Sequence, residues 1–111
     1  MKTFWTSCLL LLCPMLLYAK PTINFDRLAD AILVHENSIR FPYGCEHRVH
    51  GVLCGYAPSV ARIHCLALCR RVYTRWDGSG DFFLVLNRSY ALDKNWWRDV
   101  EKIYVARNGK R

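Results

Sequence analysis

The sequence predicts a small, mainly helical domain stapled by disulfides. Three observations carry that expectation. Apolar residues recur at i, i+3 and i+4 in four separate stretches. Pro and Gly cluster between those stretches rather than within them. Four cysteines, Cys45, Cys54, Cys65 and Cys69, lie behind an N-terminal leader that directs the chain out of the cell, where thiols pair.

The leader is residues 1–19. Lys2 supplies a positive start, Leu9 to Leu17 a short apolar core, and Tyr18-Ala19 a small residue for cleavage. It is too short to span a bilayer comfortably. Cys8 and Cys13 leave with it, and Cys13 lacks the small-residue box of a lipoprotein, so the expected product is soluble. Residues 20–111 then form the only domain, 92 residues long by subtraction of 19 from 111. A chain of that size buries about 60–65% of its unfolded surface, so cross-links would help it.

The first helix begins near Phe25, and Phe25, Leu28, Ala29, Ile32 and Leu33 mark its apolar face. One turn further along that face stands Glu36, just before Pro42-Tyr43-Gly44 breaks the chain. A carboxylate closing an apolar stripe has two readings. Its stem can pack while its head reaches water, which is the commoner case. Alternatively, apolar surroundings raise its pKa and leave it able to donate a proton to a leaving oxygen. Arg40 to Ala57 reads as a loop, and Pro58 opens a second helix with Ala61, Cys65, Leu68, Cys69, Val72 and Trp76 inward. Asp77-Gly78-Ser79-Gly80 ends it. A third helix is expected from Asp81 to Tyr90 with Phe82, Phe83, Leu86 and Tyr90 inward, although Phe82, Leu84 and Leu86 also alternate as a strand would. Asp93 or Asn95 caps a fourth, whose stripe is Trp96, Trp97, Val100, Ile103 and Tyr104. Arg107 to Arg111 forms a basic tail.

Cys65 and Cys69 stand four apart on one helix, a poor geometry for a bond between them. Each disulfide is therefore expected to join one of Cys45 and Cys54 to one of Cys65 and Cys69. Cys45, His47, His50 and Cys54 also carry zinc-ligand chemistry, but export favours disulfides and the spacing fits no zinc finger, so no metal or other cofactor is expected. His64 reads as a helix-surface residue. No nucleophile elbow is present, and Asn87-Arg88-Ser89 is a glycosylation sequon inside a helix. Tyr43 and Tyr90 fall where elements end, placed to line a cleft and stack on sugar rings, whereas the stripe tryptophans read as core.

The formal charge is +7, or +6 once Lys2 has left. Such a chain is drawn to anionic polymers and surfaces: cell wall, acidic lipid or nucleic acid. No nucleic-acid motif accompanies the charge, so nucleic acid is not an expected partner.

Several segments, in order, resemble one family. They are Ala29-Asp30-Ala31-Ile32, Glu36, Pro42-Tyr43-Gly44, Ala61 to Leu66, Arg75-Trp76, Phe83 to Leu86, Arg88-Ser89-Tyr90 and Asn95 to Val100. The chain is similar to the small exported lysozyme-like, lytic-transglycosylase-like proteins of bacteria and phages. It departs from their pattern at Asn37, with Ser38 one step late, and at Cys45, Ala91 and Asp99. The resemblance implies a lysozyme-like helical fold and a monomer that cleaves peptidoglycan glycan strands. Glu36 would be its acid/base, with Asn37, Ser38, Tyr43 and Tyr90 as substrate contacts. A hydrolase requires a second carboxylate, for which Glu46 and Asp77 are the candidates; a lytic transglycosylase does not. Three alternatives remain open: a non-catalytic wall-binding protein, a small basic protein that acts on membranes, and, least favoured, a zinc module that would keep its thiols free.

Overall fold

The structure, a computed structural model, describes residues 19–109, so all but the last residue of the expected leader, with Cys8 and Cys13, lies outside the described residues, as do Lys110 and Arg111. In chain order the elements are α1 (Phe25–Glu36), a 3-10 turn (Pro42–Gly44), β1 (Glu46–Val49), β2 (Val52–Gly55), α2 (Pro58–Arg75), α3 (Phe82–Tyr90) and α4 (Trp96–Gly109). The chain is mainly helical, as expected. None of the helices among the described residues is long and apolar enough to cross a membrane.

Helix α1 starts where the Asn24 side chain accepts the Arg27 N–H. Leu28, Ala29, Ala31 and Ile32 are fully buried, while Leu33, expected on the same face, is exposed. The buried row therefore runs through Leu28 and Ile32, and Glu36, one turn further on, is half-buried at the edge of the fold. Asn37 closes the helix in the left-handed conformation, its N–H on the Leu33 carbonyl. Asparagine tolerates that conformation better than most residues.

In α2, Ala61, Cys65, Cys69 and Val72 are buried against α1 and α3, and Trp76 closes the row. Helix α3 is capped by Asp81, which accepts the Phe83 N–H, and it buries Phe82, Phe83 and Leu86. The strand alternative for this segment is therefore set aside. In α4 the inward row is Trp96, Val100 and Tyr104. Asp93 does not cap α4 through its own carboxylate, which accepts the Asn95 N–H instead.

Asn87, in the sequon, is a buried tie. Its amide donates to the Ala91 and Asp93 carbonyls and accepts the Trp97 N–H, fixing the turn from α3 to α4. The segment before α1 is clamped in the same way. Lys20 donates to the Tyr73 and Thr74 carbonyls at the end of α2, and Tyr104 accepts the Asn24 N–H. A cation on the last carbonyls of a helix also meets its negative end.

Two expectations need correction. The stretch from Arg40 to Ala57 is not wholly loop. It holds an antiparallel hairpin with Glu46 opposite Gly55 and Val49 opposite Val52, closed by His50 and Gly51, both at positive φ. That pair makes a two-residue turn matched to the strand twist. The second correction concerns the staple. Cys45, Cys54, Cys65 and Cys69 are all free thiols. Cys65 and Cys69 share one helix face, the Cys45 sulfur rests on the Ala61 carbonyl, and the Cys54 sulfur lies by the carbonyl of Val52 within its own strand.

Candidate active site

Glu36, half-buried, stands one turn beyond the buried row of α1, where the start of α4 and the 3-10 turn meet its carboxyl. The Trp96 indole N–H, from the start of α4, donates to Glu36 Oε1 at 2.9 Å. No donor among the described residues reaches Oε2. The carboxyl lies against Gly44: a Cβ there would stand 2.9 Å from Glu36 Cδ and within 3.2 Å of both oxygens. Gly44 also has φ +71, so the position needs glycine both for its backbone and for its lack of a side chain.

The turn that places Gly44 is held from both sides. Ser38 Oγ accepts the Phe41 N–H, and the Gly44 N–H closes on the Phe41 carbonyl. Tyr43 adopts φ 59, and its carbonyl accepts a short hydrogen bond from the Tyr90 hydroxyl. Its own hydroxyl accepts from Arg62, which also pairs with Asp26 and Asp30 on α1. The Tyr43 bond, more than any other contact, holds the Arg62 guanidinium in its charged form.

Tyr43 is therefore not the cleft residue the sequence suggested. It is buried at 5% exposure and serves as scaffold. Tyr90 does line a cleft, and its ring stacks on Trp96 at 4.9 Å with 17° between planes. Asn37 is exposed at the helix end, and Ser38 is half-buried with its oxygen engaged by Phe41. Sequence reasoning missed Trp96 and Gly44 as site residues. The signal for Trp96 was present, since a buried indole N–H needs an acceptor.

The cleft measures about 380 Å³ and is open to solvent. Gly44 forms one edge, and Tyr90, Tyr56, His64 and Arg71 stand around it. Glu46 reaches the same cleft, whereas Asp77 lies in a separate depression at the far end of α2, accepting from Ser79. Glu36 itself is not on the wall; it meets the cleft at Gly44. His47, Tyr56 and His64 stack as a three-ring ladder with centroids 4.1 and 4.4 Å apart. The His47 Nδ1 in that ladder is buried and without a hydrogen-bond partner among the described residues.

Cys45 and Cys65 line the cleft beside Tyr90, and Cys69 is buried one turn further along α2. Burial raises the Cys45 pKa. A hydrogen bond from Cys69 lowers that of Cys65 and raises that of Cys69 in turn. Burial, reinforced by Cys65, keeps the Tyr90 phenol protonated as a donor. No group of three His, Cys, Asp or Glu side chains among the described residues is placed to hold a metal ion. The turn at His50-Gly51 sends His50 to an exposed tip, away from a shared set with Cys45, His47 and Cys54.

Comparison with known proteins gives no match to any family model, curated protein or solved structure.

The Trp96–Glu36 contact yields a direct expectation. Trp96→Phe keeps an aromatic ring in place but leaves Glu36 Oε1 without its donor. Stability should fall by about 1 kcal/mol, a drop in melting temperature of about 4–8 °C in a thermal unfolding scan. An unchanged midpoint would show that the bond is not formed in solution.

Proposed function

We propose that this chain is an exported enzyme that cleaves the glycan strands of peptidoglycan, a lytic transglycosylase with Glu36 as its only acid/base. The observation that carries the reading is the state of the Glu36 carboxyl. One oxygen is fixed by Trp96, the other has no protein donor, and the group abuts a glycine at the edge of an open cleft. A carboxyl held by one oxygen, with no donor among the described residues at the other, is positioned without being consumed by the fold.

In the proposed reaction, Glu36 in its protonated form gives its proton to the glycosidic oxygen as the bond from that oxygen to C1 of N-acetylmuramic acid breaks. The 6-hydroxyl of the same sugar then bonds to C1 and returns its proton to Glu36. No water is consumed, and the product is a 1,6-anhydro sugar. The single-carboxylate route is favoured because Asp77 lies in another depression and Glu46 is exposed. In a hydrolase, Glu46 would be the second carboxylate, since it alone of the two shares the cleft.

The basic surface would hold the protein to the anionic wall. In the oxidising compartment to which the leader points, a disulfide would join one of Cys45 and Cys54 to one of Cys65 and Cys69, which are all free thiols in the structure. Intact mass before and after reduction would test that staple.

Digestion of purified peptidoglycan with product mass spectrometry tests the function. Anhydro-muramic ends support the transglycosylase. Reducing ends would replace it with a hydrolase that uses Glu46. Absence of release from any peptidoglycan by a folded protein would overturn the enzyme reading in favour of a wall binder or a membrane-active protein.

A further inference from the structure

The hairpin stands off the helical body, and its strands pack chiefly on each other. It is tied down near its base, where Gly55 lies against the Arg40 carbonyl and the His47–Tyr56–His64 ladder reaches α2. The turn at the other end projects into open space: nothing stands within 4 Å of the Cβ position of Gly51.

That tip combines two features that a solvated turn does not need together. Val49 and Val52 are partners in the ladder, so both side chains leave the same face of the hairpin, and they stay 46% and 62% exposed. Cations stand around them. The Arg48 guanidinium folds onto the turn and donates to the Gly51 carbonyl at 3.0 Å, and Arg40 donates to the Leu53 carbonyl at 3.2 Å. A guanidinium has five N–H donors, so most of each remains free for another acceptor. Both arginines are exposed, and neither pairs with a carboxylate among the described residues. The one acid of the hairpin, Glu46, sits at its base opposite Gly55, about 10 Å along the strand from Val49.

We infer that the tip of this hairpin docks the protein on an anionic lipid surface. A soluble polyanion would satisfy the arginines and leave the valines in water, whereas a lipid surface takes both: phosphates meet the guanidiniums, and the aliphatic side chains enter the layer beneath them. The backbone carbonyls already hold Arg40 and Arg48 in place, so less side-chain freedom is lost on binding. The contact is peripheral. A four-residue strand rises about 13 Å, less than half of the roughly 30 Å hydrocarbon core, so the hairpin does not span a bilayer. Docking requires nothing of Glu36 and goes beyond the glycan-cleaving reading. Because Glu46 at the hairpin base also lines the cleft, it sets the cleft about 10 Å from the lipid.

The test is co-sedimentation of the whole mature chain with vesicles of phosphatidylcholine alone or mixed with phosphatidylglycerol. The wild type should bind the anionic vesicles and not the zwitterionic ones. Val49→Thr/Val52→Thr keeps the β-branched shape and the charge, and should weaken binding by about tenfold. Arg40→Gln and Arg48→Gln should each weaken it by about fivefold. Lys102→Gln, on α4, removes the same charge elsewhere and should change binding little. Val52→Trp should tighten binding, since an indole settles at the membrane interface, and this gain keeps the test decisive if an arginine variant unfolds. Glu36→Gln should bind as the wild type does, so that failure here and failure of the enzyme reading are told apart.

Absence of binding to anionic vesicles by the folded wild type would overturn the inference and leave the enzyme reading intact. Equal losses from Lys102→Gln and the arginine variants, with none from the valine pair, would reduce the contact to adsorption by net charge. Binding to purified anionic wall polymer but not to vesicles would give the tip to the wall instead. Leakage of a trapped dye from the vesicles would replace peripheral docking with lysis.

Discussion

Glu36→Gln should abolish glycan release while leaving the fold in place. The glutamine carbonyl can still accept the Trp96 N–H that now reaches Glu36 Oε1 at 2.9 Å. The amide fits beside Gly44 as the carboxyl does, because the two groups have nearly the same shape. What is lost is the proton. A glutamine cannot protonate the departing oxygen or take a proton from the attacking hydroxyl, and such transfer contributes about 10²–10⁴-fold to rate. The expected result is a fall in product formation of that size with an unchanged melting temperature. Glu36→Asp is a useful companion: it keeps an acid but withdraws it from Trp96, so activity should fall and the midpoint should drop as well. A Glu36→Gln protein as active as the wild type would remove Glu36 from the chemistry.

The largest effect on stability should come from Gly55→Ala. A Cβ at this position would lie 1.8 Å from the Arg40 carbonyl oxygen and 3.0 Å from its carbon. Both are backbone atoms, so no side chain can swing aside. Either the 38–41 turn or the hairpin must move. The Arg40 guanidinium, which donates to the Leu53 carbonyl, would lose that contact in either case. The expected cost is about 3 kcal/mol, measured as a lowered urea midpoint. Activity should fall with it, because Gly44, Glu46 and Tyr56 all belong to the displaced region and form the cleft. Gly51→Ala makes the contrast, since nothing lies within 4 Å of its Cβ position and only the backbone strain of φ +78 is felt. Equal midpoints for the two variants would show that the close approach of residues 40 and 55 is absent in solution.

The helices were legible because their cause is local. Spacing of apolar residues gave α1 to α4 nearly at their observed limits, and Pro58 and Asp81 marked two of their starts. The hairpin was hidden because its signals are weak. Val49 and Val52 flank a His-Gly turn rather than Asn-Gly, and the strands are four residues each, with mixed burial. Leu33 shows the limit of a spacing rule: two residues on one nominal face differ in burial according to what packs opposite them.

By itself, the sequence determined the helical class, the position of Glu36 one turn beyond Ile32, and the basic balance of the chain. These depend on residue order over a few turns and on simple counting. Tertiary structure alone decided the rest. Trp96 reaches Glu36 across 60 residues, and Tyr43 turns from a cleft candidate into a buried support once Arg62 takes its hydroxyl. The physical reason is that a side chain's role depends on its partner. Those partners lie on other elements, and only packing of the core fixes which of them meet.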